Sequence, residues 1–221
     1  MSTGYLASKC FCPASLPRIL YQRDMLAYNN VMRKLIVDID NTLWDLAPVL
    51  YDRMRKVNPA LTPPSEWHEF DLWKRYVPPR VFYGLIRDIH MDQSMFAPYQ
   101  DAGRFLASLK EIGFHIVIAS HRVKETLGAT TRWLQANNLA YDEIHLSYDK
   151  TVLFDACWGV VDDSPFTLYK AKKAGIVATG LEMPWNKRED HPLFGNLAEI
   201  LPYLKEKLNH FDYSRCLHDG A

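Results

Sequence analysis

The sequence predicts an α/β fold, in which a doubly wound parallel sheet of five strands carries a mainly helical cap inserted after the first strand. Short apolar runs recur along the chain, and after a first long gap they are separated by segments with helical periodicity, which is the pattern of alternating strands and helices. The runs are almost continuously apolar, as is typical of parallel strands that are buried on both faces. With 221 residues, 48% of them apolar, the chain is long enough for one globular unit with such a core.

The strands are predicted in order, each as a short apolar run bounded by polar or turn-forming positions. They lie at 34–39, 114–119, 142–147, 157–162 and 175–180. Helices are predicted at 99–112 and 122–138, because apolar residues recur there at helical spacing. In the first helix the apolar face consists of Phe105, Leu106, Leu109 and Ile112. Both helices are expected to pack on the sheet and to carry no chemistry.

The segment 46–98 is longer than a sheet connection requires, and it is predicted to form the cap. It is rich in aromatic residues, namely Trp67, Phe70, Trp73, Tyr76, Phe82 and Tyr83. Most of these rings are expected to form the small core of the cap, and one or two remain available to stack on a base. A cap over the crevice would exclude water and select the leaving group.

The rest of the chain divides into three parts. Residues 34–45 and 99–210 are predicted to form the sheet domain, and residues 211–221 a C-terminal tail. Residues 1–33 form an N-terminal extension that this domain does not need, and Met25 and Met32 are alternative starts. The extension lacks the apolar core of a secretory signal, and a mitochondrial presequence is an alternative for it.

Composition narrows the classes of function. The 26 basic and 26 acidic residues cancel without forming a basic stripe, so extended nucleic acid is not predicted as a partner, whereas a small anionic substrate is compatible. No apolar segment approaches the length that spans a bilayer, so a membrane is not predicted as a partner either. The four cysteines, Cys10, Cys12, Cys157 and Cys216, are too few and too scattered for a disulfide scaffold, which favours the cytoplasm. The oligomeric state stays open.

The first strand ends in two carboxylates, Asp38 and Asp40. Residues two apart in an extended segment project to the same side, so both can point into one site with a cation between them. One acid would then be a nucleophile or metal ligand and the other a proton donor. The alternative is an Asx-type turn in which both acids only bind nearby amides.

Later segments place further polar groups at the ends of strands. Ser120 ends the second predicted strand, Lys150 precedes a short helix-like stretch, and Asp162 and Asp163 end the fourth strand. In an open α/β sheet, ligands bind just beyond the carboxyl ends of the strands. Six side chains are therefore predicted to line one crevice: Asp38, Asp40, Ser120, Lys150, Asp162 and Asp163.

This ordered set resembles the four motifs of the haloacid dehalogenase (HAD) superfamily, and the resemblance covers residues 34–186. It implies a Rossmann-like sheet domain and a Mg²⁺-dependent hydrolase of phosphomonoesters that works through an aspartyl-phosphate. It also implies that Asp38 is the nucleophile and Asp40 the general acid and base. Ser120 and Lys150 would bind the phosphoryl group, and the acidic pair of the fourth strand would lie at the metal.

Magnesium prefers hard oxygen ligands, and two carboxylates, a backbone carbonyl and a phosphate oxygen would suit it. Asp38, Asp40 and Asp162 are assigned to the metal. Asp163 either orients Lys150 or holds a metal-bound water, or it caps the helix that opens at Ser164 and Pro165. Asp40 is expected to have a raised pKa in a partly desolvated pocket, because it must hold a proton for the leaving group.

His121 and Arg122 directly follow the second predicted strand, and the sequence assigns no role to either. Whether either contacts substrate stays open. Arg122 could bind a second anionic group, but a solvent-facing start of a helix is the favoured prediction for it.

A second resemblance concerns the substrate. The 5'-deoxyribonucleotidases combine a helical cap with an acidic pair followed by Pro and, further on, a Pro-aromatic-Asn run. Here these are Asp162-Asp163-Ser164-Pro165 and Pro184-Trp185-Asn186. The resemblance implies hydrolysis of (deoxy)nucleoside monophosphates with the base under the cap. The chain departs from that group at Asn41-Thr42, where Gly-Val is common, and Trp185 could instead anchor a loop to the sheet edge.

Three other functions stay open. The segments 41–44 and 163–166 also look like phosphatase-like domains that load acyl groups onto carrier proteins, and the first motif is similar to general phosphatases acting on sugar phosphates or proteins. Those groups largely lack a long cap, so the insertion argues against them. A non-catalytic binding protein is the third alternative, and the complete set of acids, hydroxyl and lysine argues against it.

Overall fold

The structure, a computed structural model, describes residues 33–188 and 190–218, with the backbone alone from 211 onwards. These residues belong to one compact unit. The predictions for the N-terminal extension lie outside the described residues, apart from its last residue, Arg33. Among the described residues, no helix is both long enough and apolar enough to cross a membrane.

Within the described part of the chain, the sheet has six strands, all parallel, in the order β3-β2-β1-β4-β5-β6. The strands are β1 (Arg33–Val37), β2 (Phe114–Ser120), β3 (Glu143–Leu146), β4 (Gly159–Val161), β5 (Val177–Leu181) and β6 (Leu193–Phe194). The predicted parallel α/β sheet is confirmed, and its five strands correspond to β1 to β5. The predicted number of strands is wrong, because β6 adds a sixth at the edge. A two-residue strand has no run or alternation by which a sequence could reveal it.

The chain places β1 at the centre of the sheet, between β2 and β4. Leu35, Ile36 and Val37 are fully buried. Successive residues of a strand point to opposite faces, and accordingly Leu35 and Val37 belong to one hydrophobic core whereas Ile36 belongs to a second. Both faces of the sheet are thus covered, which explains why the central strands read as continuous apolar runs.

The described residues form six α-helices. They are α1 (Leu46–Met54), α2 (Pro79–Met91), α3 (Ala102–Glu111), α4 (Leu127–Ala136), α5 (Pro165–Lys173) and α6 (Leu197–His218). The helix predicted at 99–112 is confirmed as α3, whose buried face includes Phe105, Leu106 and Leu109. The last helix, α6, continues to His218 and so enters the segment predicted as a tail.

The helix predicted at 122–138 begins later than expected. Its first turn is a 3₁₀ helix, Lys124–Thr126, and the α-helix α4 starts only at Leu127. Arg122 precedes both, in irregular backbone directly after β2. This leaves the Arg122 side chain free to turn towards the end of the sheet.

The segment 46–98, all of which is described, is helical and contains no strand. Besides α1 and α2 it holds three short 3₁₀ helices, Pro64–Glu66, Leu72–Arg75 and Gln93–Met95. Trp73 stacks on Phe82 with ring centroids 3.8 Å apart, and Tyr83 meets both rings edge-on. These three rings therefore pack on one another within the segment, and a cap core formed by most of the six rings stays a prediction.

Candidate active site

A cavity of about 220 Å³ lies at the carboxyl end of the sheet. Because β1 lies between β2 and β4, the loops that leave these three strands meet at this edge. The lining on the sheet side includes Asp38, Asp40, His121, Lys150, Asp162 and Asp163. On the other side, the segment 46–98 contributes aromatic and aliphatic side chains. The cavity is where an open α/β sheet would be expected to bind a ligand.

Lys150 links the ends of β1 and β4. Its Nζ donates to Asp38 Oδ1 and to Asp162 Oδ2, each at 2.6 Å, and all three side chains are buried. Burial lowers the pKa of Lys150, but the two carboxylates outweigh this effect and raise it above its ordinary value. The lysine is therefore charged, and it partly neutralises a site that burial would otherwise make very unfavourable for acids.

Asp38 remains short of compensating charge. Burial and the neighbouring Asp162 raise the pKa of Asp38 to about 6, against the opposing effect of Lys150. A carboxyl group in this state gains from any additional cation that approaches it.

Asp163 lies beside Asp162 but has different partners. Its Oδ2 accepts from Asn41 Nδ2 at 3.2 Å and from Trp185 Nε1 at 3.1 Å. Of the three predicted alternatives, the side chain makes neither a hydrogen bond with Lys150 nor the helix cap, and the role of holding a metal-bound water stays a prediction. The cap of α5 is Ser164, whose Oγ accepts from the Thr167 amide. Burial, then Asp162, raises the pKa of Asp163 well above its usual range.

Three carboxylates are close enough to share one metal ion. One oxygen from each of Asp38, Asp162 and Asp163 lies within 4.8 Å of the others, and all three residues are buried. Two of the residues assigned to the metal, Asp38 and Asp162, are thus brought together. Among the described residues, this group includes Asp163 and not the third assigned residue, Asp40. Three buried carboxylates this close together are a donor set that fits a hard cation such as Mg²⁺.

Asp40 is held by several donors on the side of β2. Trp44 Nε1 donates to its Oδ1 at 2.9 Å, and Ser120 Oγ donates to its Oδ2 at 3.2 Å. Arg122 Nη2 lies 2.5 Å from Oδ1, and Arg122 Nε lies 3.2 Å from Oδ2. His90 Nε2 is 3.0 Å from Oδ2.

The expectation of a raised pKa for Asp40 is wrong. Burial alone would raise the pKa, but the charge of Arg122, followed by that of His90, outweighs burial and holds the pKa well below its usual range. The physical reason is the buried guanidinium, which favours the charged carboxylate. Asp40 is therefore a carboxylate in this arrangement.

Arg122 is not the solvent-facing residue that was predicted. It is 1% exposed, and besides Asp40 it donates through Nε to Ser120 Oγ and through Nη1 to Thr130 Oγ1. No signal in the local sequence indicates this burial, since an arginine after a strand is usually solvated. His90, on α2, was likewise not singled out by its sequence context.

The Ser120 side chain contacts Asp40, whereas the sequence predicted that it would face the phosphoryl group of a substrate. This side chain is fully buried behind Asp40, to which its hydroxyl donates, and it is not among the residues that line the cavity. His121, the next residue, does line the cavity, and burial, then Lys150, lowers the pKa of His121 to about 4. The imidazole therefore faces the cavity in its neutral form near neutral pH.

Asn41 connects the loops after β1 and β4. Its backbone is left-handed, with φ of 54°, a conformation that Gly adopts freely and that Asn tolerates better than most residues. Its Oδ1 accepts from the Ala47 amide at 3.0 Å, while its Nδ2 donates to Asp163. Asn41 thus adopts a left-handed conformation and adds a contact between the two loops.

The run Pro184-Trp185-Asn186 anchors the loop that carries Asp163. Asn186 Nδ2 donates to the carbonyl oxygens of Asp163 and Leu181, both at 2.9 Å. Trp185 donates to the Asp163 side chain, lines the cavity and lies 6.5 Å from the ring of Trp67. The loop-anchor alternative for Trp185 is therefore observed, at a position that also touches the cavity.

Comparison with solved structures shows the same fold. A protein described as a predicted phosphoglycolate phosphatase from Haemophilus somnus 129pt is 17% identical, and the match covers 78% of this chain and 98% of that one with a TM-score of 0.52. A proposed β-phosphoglucomutase from Thermotoga maritima is 20% identical over 79% and 99% of the two chains, with a TM-score of 0.53.

A HAD family hydrolase from Deinococcus radiodurans R1, solved with bound phosphate and sodium, is 16% identical over 79% and 96% of the two chains, with a TM-score of 0.53. No protein-family model matches the sequence, and no curated protein is significantly similar to it. The fold is accordingly one that these three solved proteins share, and one of them is described as a HAD family hydrolase, the superfamily of the first resemblance. None of these three neighbours is described as a nucleotidase.

Proposed function

We propose that this protein is a Mg²⁺-dependent phosphomonoester hydrolase that works through an aspartyl-phosphate on Asp38, with (deoxy)nucleoside monophosphates as substrates. The single observation that supports it most is the buried arrangement in which Lys150 Nζ bridges Asp38 and Asp162 at 2.6 Å each, at the floor of a cavity. Burying three acids around one lysine costs folding free energy, and catalysis is a reason to retain such an arrangement.

Asp38 is the proposed nucleophile. Lys150 contacts its Oδ1, so we assign the attack on phosphorus to Oδ2, in line with the leaving oxygen. Lys150 would hold Asp38 in place and also interact with the phosphoryl oxygens. Ser120 is proposed to bind the phosphoryl group once its contact with Asp40 loosens.

The residues proposed to hold the metal are Asp38, Asp162 and Asp163, because their oxygens lie within 4.8 Å of one another. This set replaces Asp40 by Asp163 relative to the prediction from the sequence. When bound, Mg²⁺ would offset the repulsion between the carboxylates and the phosphate and stabilise charge in the transition state.

Asp40 is the proposed acid and base. Its ionised state supports the base function most directly, namely acceptance of a proton from the water that hydrolyses the aspartyl-phosphate. Donation of a proton to the leaving oxygen in the first half of the reaction would require the contact with Arg122 to weaken as substrate binds.

The segment 46–98 is the proposed substrate-selecting cap. It presents Trp67, Phe70, Trp73, Phe82 and Tyr83 to the cavity, and aromatic faces are suited to stacking on a nucleobase. A sugar offers these rings a smaller apolar face than a planar base does. The aromatic lining therefore favours nucleotides over the alternative of a general sugar-phosphate phosphatase, and a cavity with a complete acidic floor favours an enzyme over an acyl-loading or binding protein.

The test is phosphate release from a panel of monoesters that includes deoxynucleotides, ribonucleotides, sugar phosphates and p-nitrophenyl phosphate, with Mg²⁺ and then with chelator. We expect Mg²⁺-dependent turnover and a preference for deoxynucleoside monophosphates. Asp38→Asn should lower turnover at least about 10³-fold, as expected when a nucleophile is lost. Asp155→Asn, an exposed acid of the Thr151–Ala156 turn, is the matched control and should be unaffected. Full turnover by Asp38→Asn would refute the proposal.

A further inference from the structure

Asp40 lies where the sheet domain meets the segment 46–98. Arg122 approaches it from the end of β2, and His90 approaches it from α2. Both are 1% exposed, so a buried cation and a buried imidazole are directed at the same carboxylate. Placing such groups out of water is costly unless they are paired closely.

Arg122 binds the Asp40 carboxylate in a bidentate arrangement. Its Nη2 and Nε contact the two carboxylate oxygens, at 2.5 and 3.2 Å, so the plane of the carboxylate is fixed and not only its position. The guanidinium is itself anchored, through its third nitrogen, to Thr130 Oγ1 on α4 at 3.0 Å. A flexible lysine could supply the charge at this place but not this orientation.

His90 contacts Asp40 from the opposite domain. Its Nε2 lies 3.0 Å from Oδ2, in direct contact although not aligned as a hydrogen bond. Since His90 belongs to α2 of the cap segment, the orientation of Asp40 depends on where that segment packs. The orientation of the Asp40 carboxylate therefore depends on both the sheet domain and the segment 46–98.

We propose that Arg122 and His90 are positioning residues that orient the Asp40 carboxylate towards the water that hydrolyses the aspartyl-phosphate. In that step the water oxygen forms a bond to phosphorus, the bond from phosphorus to the Asp38 oxygen breaks, and Asp38 leaves as a carboxylate. The Asp40 carboxylate takes the proton that the water gives up, and inorganic phosphate is released. The inference rests on the proposed function, and it concerns only the second half of the reaction.

The test separates the two halves by rapid-mixing kinetics with p-nitrophenyl phosphate and Mg²⁺. The burst of p-nitrophenolate reports formation of the aspartyl-phosphate, and the steady-state rate reports its hydrolysis. In Arg122→Lys and His90→Leu, we expect the ratio of burst rate to steady-state rate to rise at least about tenfold, since loss of an oriented base slows proton transfer. About one phosphate per protein should then be trapped by acid quench and detected by mass spectrometry.

Three further variants make the outcome specific. His90→Gln keeps a nitrogen near the Nε2 position and should restore the ratio towards that of the wild type. Thr130→Val, nearly isosteric, removes an anchor of Arg122 and should raise the ratio even if Arg122→Lys does not fold. Leu204→Ala, at a buried residue of α6 that does not line the cavity, should destabilise the protein without raising the ratio.

A fall of both phases together in the Arg122, His90 and Thr130 variants would overturn the inference and leave only a structural role. A wild-type protein that releases no p-nitrophenolate at all would instead refute the proposed function, and the inference with it. The two failures are therefore distinguishable in the same measurement.

Discussion

At the scale of single residues, three buried acids line the candidate active-site cavity together with one lysine. When the three carboxyl groups are ionised, their negative charge exceeds the positive charge of the lysine. Burial, then Asp162, raises the pKa of Asp163 well above its usual range, which means that its charged form is disfavoured in the folded state. We expect this imbalance to lower the stability of the protein and a bound cation to relieve it.

Asp163→Asn tests this imbalance. A carboxyl group whose pKa is raised on folding destabilises the folded state above its unfolded pKa, so the amide should raise Tm without metal, by about 2–4 °C for each kcal/mol recovered. Excess Mg²⁺ should raise Tm of the wild type but have a smaller effect on the variant. Thermal unfolding with and without Mg²⁺ measures both effects. Asp155→Asn serves as the control, and an equal response of all three proteins to Mg²⁺ would contradict the proposed metal ligands.

The affinity for Mg²⁺ should depend on pH through Asp38. Burial raises the pKa of Asp38 to about 6, and a carboxyl group must lose its proton to bind a metal. Below about pH 6 the apparent Kd should therefore increase by at least about tenfold per pH unit, and any dependence that remains above that pH would come from Asp163, whose pKa is also raised. Calorimetric titration between pH 5 and pH 8 measures this, and Asp38→Asn should remove the part of the dependence that is centred near pH 6. A constant Kd across that range would contradict the raised pKa.

At the scale of elements, the site depends on how closely β4 and β5 pack. A Cβ added to Gly180 of β5 would lie only 1.9 Å from the carbonyl oxygen of Asp162, at the end of β4. The two backbones approach so closely that only glycine fits. The same contact fixes the position of Asp162 relative to the cavity.

Gly180→Ala should therefore force β5 away from Asp162. We expect a loss of about 1–3 kcal/mol of stability, the usual cost of overpacking, together with a weaker response of Tm to Mg²⁺. Gly84→Ala in α2 is the matched control, because its Cβ would meet nothing within 4 Å and a helical alanine should stabilise by about 0.5–1 kcal/mol. Chemical denaturation measures both changes. A stable, metal-responsive Gly180→Ala protein would show that the strands can separate freely.

The strands show how much of the fold local sequence patterns can predict. The predicted runs correspond to β1 to β5, because apolar stretches between turn-forming residues are a local signal. Their bounds differ by one or a few residues, as with β4, which is limited to Gly159–Val161. β6 escaped prediction because its two residues, Leu193 and Phe194, are defined only by pairing with Gly180 and Leu181.

At the scale of the whole molecule, ring contacts join the segment 46–98 to the sheet domain on several sides of the cavity. Phe70 meets Phe166 at 5.8 Å, and Tyr83 meets Tyr148 at 6.1 Å, both edge-on. Phe166 and Tyr148 are more than half exposed. These contacts lie at the rim, where they affect what enters the cavity more than the chemistry on its floor.

Phe70→Leu and Tyr83→Leu should therefore separate binding from chemistry. We expect KM for a deoxynucleoside monophosphate to rise about five- to tenfold, in keeping with the loss of about 1–1.5 kcal/mol of ring contact, while kcat for p-nitrophenyl phosphate stays within about twofold. Tyr169→Leu, an exposed ring of α5 that does not line the cavity, is the control. Equal losses on both substrates would argue against a selecting role of the cap.

The sequence by itself determined the alternation of strands and helices and placed Asp38, Lys150, Asp162 and Asp163 at one edge of the sheet, because these depend on local runs and on the general geometry of parallel sheets. Only the tertiary structure decided the state of Asp40. Its contact with Arg122 joins residues 82 positions apart in the chain, and His90 reaches it from a separate helix. Such contacts, and the pKa they determine, follow from the packing of distant elements and the exclusion of water, which no local pattern encodes.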